Sequence, residues 1–90
     1  MKTERVVETI NVEYEVKTAP NGDTYWYKDD VLHRENGPAV ILVNDLKEWY
    51  KYGELHRKDG PAVKYDNGYK EWYIDGVQYT EKEWKKKVSK

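Results

Sequence analysis

The chain has 90 residues, a net charge of −1 and a mean hydropathy of −1.11. It contains no Cys, which excludes a disulfide scaffold, a cysteine nucleophile and a Cys-ligated zinc site. Sixteen basic residues against seventeen acidic ones leave no excess of positive charge, which argues against duplex nucleic-acid binding. The length predicts a single domain over residues 1–90, and no apolar run approaches the roughly 20 residues that a membrane-spanning helix needs.

The first segment, residues 1–19, is predicted to form one N-terminal β-strand. Apolar and polar residues alternate strictly from Ile10 onward, so Ile10, Tyr14 and Val16 would share one face of the strand. We expect this strand to cover the exposed edge of the hairpin that follows it, because an unpaired edge invites unwanted pairing with other chains.

Residues 20–79 contain a repeat with a period of 23 residues, present as two full copies and a partial third. When residues 21–43 are aligned with residues 44–66, eleven of the 23 positions are identical. Apart from the leading Asn, the identical positions form the blocks Trp-Tyr-Lys, Leu-His-Arg and Gly-Pro-Ala-Val. The partial copy keeps Trp72 and Tyr73 and then diverges, as the terminal repeat of an array often does.

Each repeat is predicted to form a β-hairpin. Asn-Gly and Asp-Gly pairs, which favour turns with positive φ, begin at positions 21, 36, 59, 67 and 75. Short runs rich in Val, Ile, Trp and Tyr lie between them, and these residues favour strands. With the N-terminal strand, they predict a mainly β fold, a single antiparallel β-meander of about six strands built from 23-residue hairpins. The strands predicted in the repeats cover residues 24–28, 38–43, 47–51, 61–65 and 69–74.

The last segment, residues 80–90, is predicted to form a short C-terminal α-helix, with helical turns from about 81 to 88. Thr80 and Glu83 have the spacing of a capping box, in which each side chain bonds the other residue's backbone amide. Trp84 and Val88 lie four residues apart and would form an apolar stripe. We expect Trp84 to cover the sheet as a lid.

The repeated blocks resemble the membrane occupation and recognition nexus (MORN) repeat. They are most similar to a degenerate variant with Leu-His-Arg-x-x-Gly-Pro-Ala blocks, which occurs in phages, large viruses and bacteria. The resemblance covers residues 21–79 and implies a sheet of stacked hairpins. The Tyr-x-Gly signature of the standard repeat is replaced here by Trp-Tyr, so the family's proposed lipid role is not carried over.

The repeats present aromatic and charged side chains that are candidates for partner binding. Equivalent residues of successive repeats would lie two strands apart, which is about 10 Å. Trp, Tyr and Arg often dominate the energetics of protein interfaces. The alternative is that lysine stems, those of Lys47, Lys51 and Lys70, cover the Trp rings and that the aromatic ladder only stabilises the sheet. The candidate residues are Trp26, Trp49, Trp72, Tyr27, Tyr50, Tyr73, Arg34, Arg57, His33 and His56.

The two histidines, His33 and His56, would suit metal or acid–base chemistry only if their side chains met. At a separation of about 10 Å they could neither share a zinc ion nor form a hydrogen-bonded pair. We expect both to fix the bend before Gly-Pro, and each neighbouring Arg to pair with Glu35 or Asp59. Because the sequence also has no phosphate-binding loop and no hydrolase motif, we expect no catalytic residue, no metal and no cofactor.

These features favour a non-enzymatic protein-binding module. From the resemblance, the leading hypothesis is a small phage-encoded inhibitor of a host antiviral defence protein, such as a CRISPR effector. One alternative is a bacterial antitoxin or immunity-type partner protein. Another, less favoured, is a single-stranded nucleic-acid or nucleotide binder that stacks bases on the aromatic ladder.

The residues after Met1 predict the location of the protein, and the predicted strand 69–74 bears on its self-association. Met1 is followed by polar residues, so we expect no secretory signal, no membrane association and a cytoplasmic location, in the host cytoplasm if the protein is viral. The predicted strand 69–74 would leave an open edge, and two such edges could pair to give a homodimer.

Overall fold

The computed structural model describes residues 1–89, which form eleven β-strands and one α-helix. Most of the strands in the repeats are short, with only two residues in a regular ladder. The elements are β1 (Lys2–Thr9), β2 (Val12–Thr18), β3 (Thr24–Lys28), β4 (Val31–Leu32), β5 (Val40–Ile41), β6 (Lys47–Glu48), β7 (Tyr50–Lys51), β8 (Glu54–Leu55), β9 (Val63–Lys64), β10 (Lys70–Ile74), β11 (Val77–Tyr79) and α1 (Glu81–Val88).

Nine of these strands form one antiparallel sheet with the order β1-β2-β3-β5-β6-β9-β10-β11, in which β4 also pairs with β3. The other two, β7 and β8, form a separate two-stranded ladder. This arrangement confirms the prediction of a mainly β, antiparallel meander followed by one short helix. The molecule measures 39 × 32 × 17 Å, so it is a thin plate with two broad faces.

The paired segments are more numerous and shorter than the expected strands. The strand predicted at 24–28 is found with the same bounds, whereas the one predicted at 47–51 is divided at Trp49 into β6 and β7. β7 turns back into β8 through Tyr52 and Gly53, whose φ angles are 50° and 82°. A turn with two positive φ angles matches the right-handed twist of the strands that it joins.

Two of the expected positive-φ turns are not formed. Gly37 and Gly60 both lie outside the positive-φ region. Glycine is needed there for space: a Cβ at Gly37 would lie 3.1 Å from Cζ of Arg34, and one at Gly60 would lie 2.7 Å from Cζ of Arg57. Each glycine therefore permits a guanidinium group to lie against the backbone.

The N-terminal segment is a hairpin, which corrects the single strand expected over residues 1–19. β1 and β2 pair with Val6 opposite Tyr14, and the chain reverses at Ile10 and Asn11, where Asn11 has a φ of 67°. Asn tolerates this left-handed conformation better than most residues. Ile10, which was expected on the strand's apolar face, is 87% exposed in the turn. β2 does cover β3 as predicted, so the edge of the sheet moves to β1.

The opposite edge of the sheet also differs from the expectation. β11 pairs with β10, so the strand predicted at 69–74 is covered by residues of its own chain. An edge that could pair with a second copy is therefore offered by β1 or β11, and not by residues 69–74.

β2 occupies the same structural position as β5 and β9. The register of β2 against β3 recurs in the pair β5–β6 and again in the pair β9–β10, each time 23 residues further along the chain. The hairpin at the N-terminus is therefore a further, sequence-divergent unit of the array. The equivalent cross-strand pairs are Lys17–Tyr25, Val40–Glu48 and Val63–Glu71.

The two broad faces of the sheet carry different side chains. Residues opposite one another in adjacent strands share a face. One face, here called the valine face, contains the pairs just given, and its Val40 and Val63 are 4% and 2% exposed. The other, the tryptophan face, carries Trp26, Trp49 and Trp72, which alternate with residues of the valine face along their strands.

The helix α1 has the predicted bounds and both halves of the predicted capping box. Thr80 accepts a hydrogen bond from the Glu83 amide, and the Glu83 carboxylate accepts one from the Thr80 amide. Trp84 lies against Trp72 with 4.6 Å between ring centroids, and its Nε1 donates to the carbonyl of Arg57 at 2.9 Å. Within the described residues, no helix is both long and apolar enough to cross a membrane.

Replacing Trp84 with Ala is expected to destabilise the protein by about 3–5 kcal/mol, because it removes a buried indole and its hydrogen bond. Urea unfolding followed by circular dichroism measures the effect. The control Lys82→Ala, on the exposed side of the same helix, should change stability by less than about 0.5 kcal/mol. A loss of stability for Trp84→Ala no larger than that of the control would contradict the role of Trp84 in holding the helix on the sheet.

Candidate functional site

Each of the three tryptophans on the tryptophan face has the side chain of another residue packed against its ring. The Cζ atom of Arg34 lies 3.6 Å from the ring centroid of Trp26, and that of Arg57 lies 3.8 Å from the ring centroid of Trp49. Trp72 has the helix residue Trp84 against it. The repeat therefore stacks a guanidinium group on its indole, and the array ends where an indole replaces the guanidinium.

These contacts differ from the alternative suggested by the sequence, in which lysine stems cover the indoles. Arginine takes that position because its planar guanidinium group can stack on a ring while it donates hydrogen bonds in the same plane. The lysine–aromatic contacts in the structure involve tyrosines instead. They join Lys17 to Tyr27, Lys28 to Tyr52 and Lys87 to Tyr79.

The two stacked arginines have the same backbone partner but different acidic partners. Nη1 of Arg34 donates to the carbonyl of Pro38, and Nη1 of Arg57 donates to the carbonyl of Pro61, both at 3.1 Å. Nε of Arg57 also donates to Asp59 at 2.8 Å, as expected from the sequence.

Arg34 pairs with Glu8, which corrects the expected pairing with Glu35. Nε of Arg34 lies 3.1 Å from both carboxylate oxygens of Glu8, and Nη2 donates to the same group. Only 19% of the Glu8 side chain is exposed, whereas 85% of the Asp59 side chain beside Arg57 is exposed. The hairpin β1–β2 brings Glu8 to this position, so a prediction without that hairpin could not find the pair.

The histidines join successive repeats. Nδ1 of His33 accepts a hydrogen bond from the amide of Tyr52 at 2.8 Å, and Nδ1 of His56 accepts one from the amide of Asp75 at 2.9 Å. A backbone amide can only donate, so both Nδ1 atoms are unprotonated and the ring proton is on Nε2. In His33 this Nε2 donates to Glu35.

Each histidine therefore holds the positive-φ turn of the following repeat. His33 also contacts Glu35 in the bend before Gly37-Pro38, as expected from the sequence, whereas His56 has no side-chain bond to its own bend among residues 1–89. Oδ1 of Asp75 also lies 3.2 Å from Nδ1 of His56. That oxygen cannot accept a proton from a nitrogen whose lone pair already accepts the amide bond. The Asp75 side chain is 79% exposed and is solvated instead.

A groove lies on the plate between the loop of residues 34–37 and the loop of residues 56–59. Its volume is about 650 Å³, and Trp49 contributes to its lining. Four cationic side chains and two acidic ones line it. Three of the cations form ion pairs, Arg34 with Glu8, Lys51 with Glu35 and Arg57 with Asp59, and Lys58 forms none among residues 1–89. The charged lining residues are Arg34, Lys51, Arg57, Lys58, Glu35 and Asp59.

The structure brings together half of the residues proposed from the sequence. The groove is lined by Arg34, Trp49, Tyr50, His56 and Arg57. The other five lie elsewhere: Trp26 and His33 are buried in the first repeat, Trp72 lies under the helix, and Tyr27 and Tyr73 alternate with the tryptophans and lie on the valine face.

The valine face carries a row of tyrosines around two carboxylates. Burial raises the pKa of Glu48, and the nearby Glu71 carboxylate raises it further, against the effect of a hydrogen bond with Tyr50. Burial, with these carboxylates, also raises the pKa of Tyr50 and of Tyr73. Among residues 1–89, no three metal-ligating side chains cluster.

No protein-family model, curated protein or solved structure matches the chain. The similarity to MORN repeats therefore stays a prediction from the repeated blocks, and the site is interpreted from its own geometry.

Replacing Glu48 with Gln is expected to raise the melting temperature by a few degrees at pH 7 and to have little effect at pH 4. The pKa of Glu48 is higher in the folded protein than in the unfolded chain, so its ionisation weakens the fold as pH rises through that pKa. Gln removes this cost at neutral pH. Thermal unfolding at several pH values measures the difference, with Glu54→Gln at an exposed position as the control. A Glu48→Gln variant that is less stable than wild type at pH 7 would contradict the assignment.

Proposed function

We propose that this chain is a non-enzymatic protein-binding module whose partner binds at the groove beside Trp49. The observation that supports this is the difference between the three indoles. Trp26 is buried beneath the N-terminal hairpin and Trp72 packs against Trp84 of the helix, whereas Trp49 borders the groove between the two loops. The middle repeat is thus the one in which an arginine-covered indole lies beside a groove.

The composition of the groove supports a protein as the partner. Trp, Tyr and Arg are enriched among interface residues whose truncation costs most binding energy. A volume of about 650 Å³ is large enough to take one or two side chains of a partner, and the charged loops around it form a polar rim.

The role of the histidines supports binding over catalysis. The Nδ1 atoms of His33 and His56 both accept backbone hydrogen bonds, so neither can accept a proton from a substrate without breaking a contact between repeats. Replacing either histidine would therefore lower the stability of the fold, because it removes a hydrogen bond between repeats.

The finer hypotheses concern which protein is bound. An inhibitor of a host antiviral defence protein such as a CRISPR effector, encoded by a phage and acting in the host cytoplasm, is our leading proposal, and a bacterial antitoxin or immunity-type partner is the alternative. Both rest on the resemblance of the repeated blocks and both require the same kind of surface, so one binding experiment addresses them.

The groove predicts that Lys58→Glu abolishes capture of the partner. Lys58 lines the groove and is exposed, so reversal of its charge should leave the fold intact. Immobilised wild type and Lys58→Glu are incubated with bacterial host lysate, and stoichiometric partners are identified by mass spectrometry. Lys82→Glu, at an exposed position outside the groove, is the matched control and should still capture the partner. No stoichiometric partner, or equal capture by Lys58→Glu, would contradict the proposal.

A second candidate is binding of single-stranded nucleic acid, which one observation favours. Lys47, Lys64 and Lys70 lie directly opposite one another in adjacent strands, and none forms an ion pair with the described residues. Like charges in this arrangement repel and are stabilised by an anion. Titration with single-stranded oligonucleotides, followed by Trp fluorescence, separates the candidates: salt-dependent quenching supports nucleic-acid binding, and no quenching at low salt removes it.

A further inference from the structure

The two Arg–Trp units differ in what lies beside the indole. The register of Lys17 with Tyr25 recurs as that of Val40 with Glu48. Tyr14 lies three residues before Lys17, and Gly37 lies three residues before Val40, so Tyr14 and Gly37 are at equivalent positions. The first repeat therefore has a phenol ring where the second has no side chain.

In the first repeat, Tyr14 fills the space beside the indole. Its ring is 1% exposed and meets the Trp26 ring edge-on, with 5.3 Å between centroids and a 74° angle between planes. Its hydroxyl accepts a hydrogen bond from the Glu35 amide at 2.9 Å. Glu8 from the same hairpin completes the unit by pairing with Arg34.

In the second repeat, both of these groups are missing. Gly37 leaves the space beside Trp49 open as part of the groove. The amide of Lys58, which is equivalent to that of Glu35, makes no hydrogen bond within the described residues. The only acidic partner of Arg57 among residues 1–89 is Asp59, from its own exposed loop, where Arg34 has the largely buried Glu8.

A side chain at position 37 would have to displace Arg34 in order to fill this space. A Cβ there would lie 3.1 Å from Cζ of Arg34, which is held between the Trp26 ring and Glu8. The glycine that lets Arg34 stack in the first repeat thus keeps the groove of the second repeat open.

We propose that the groove binds a tyrosine ring and a carboxylate from an acidic segment of a partner protein, placed as Tyr14 and Glu8 are placed in the first repeat. The inference rests on the proposed function and names the chemistry of its partner. The ring would lie edge-on to Trp49, and its hydroxyl would accept from the Lys58 amide. The carboxylate would pair with Arg57 in place of Asp59, whose side chain is 85% exposed. Lys58, the cation of the lining that forms no ion pair among residues 1–89, complements an acidic segment.

The probe is the peptide acetyl-Glu-Glu-Tyr-Glu-Glu-amide, titrated into the isotope-labelled full chain and followed by NMR. We expect saturable shifts of the Trp49 indole N–H and of the Lys58 amide. Two matched peptides separate the contributions: one has Gln for every Glu, and the other has Ala for Tyr. Each should bind at least about tenfold more weakly, which corresponds to about 1.4 kcal/mol.

Variants of the chain test the location. Arg57→Ala should weaken peptide binding by at least about tenfold, whereas Arg5→Ala, which removes the same charge from an exposed position on β1, should leave it unchanged. Because Arg57 also supports the fold, Lys58→Glu serves as a second variant, and it should lose binding with its NMR spectrum otherwise unchanged.

Three results of the peptide titrations would overturn the inference. They are the absence of saturable binding up to about 5 mM peptide, equal binding of the control peptides, and shifts confined to residues outside the groove. Concentration-dependent dimerisation that moves the same Trp49 and Lys58 signals would also overturn it, since the occupant would then be a second copy. If the peptide fails while Lys58→Glu still loses the captured lysate protein, the binding function stands and only its ligand chemistry is wrong.

Discussion

A hydrogen bond from a turn amide to the imidazole of the preceding repeat is the contact on which the sheet most depends. His33 is fully buried, whereas only a few apolar side chains are buried in this thin plate. The amides of Tyr52 and Asp75 lie in left-handed turn residues, where regular pairing gives them no strand partner. A buried nitrogen left without a hydrogen-bond partner costs about 1–3 kcal/mol, so the buried Nδ1 of His33 favours the position of the next hairpin in which the Tyr52 amide reaches it.

The ends of the array explain why one unit remains open. At the N-terminal end, the hairpin β1–β2 supplies Tyr14 and Glu8, which close the Arg34–Trp26 unit. At the C-terminal end, Trp84 takes the place of the arginine and packs against Trp72, which stays partly exposed. The middle unit has neither addition. Gly37 stands where the first unit has Tyr14, so a groove lies beside Trp49.

The local pattern of the sequence predicts much of this fold. The 23-residue period, the strand at 24–28, the helix and its capping box all depend on residues close together in the chain, and all are found. The groove residues Trp49 and Arg57 could be named because the repeat marks them. The turn at Asn11 is decided by one left-handed residue inside a strictly alternating pattern, and alternation alone cannot show it.

Long-range partners could not be predicted in the same way. The pairing of Glu8 with Arg34 spans 26 residues and depends on the unexpected hairpin. The equivalence of Tyr14 and Gly37 is visible only in the strand register, because the two segments share no sequence block. The hydrogen bonds between repeats join a histidine Nδ1 atom to a backbone amide. Because almost every residue has a backbone amide, the sequence does not show which amide is the donor.

The most direct test of this account is an NMR measurement of nitrogen–nitrogen scalar coupling across the two proposed hydrogen bonds. Coupling should be observed between the Tyr52 amide nitrogen and Nδ1 of His33, and between the Asp75 amide nitrogen and Nδ1 of His56, with the ring proton on Nε2 in both. Protonated Nδ1 atoms, or rapidly exchanging amides without coupling at both sites, would contradict it.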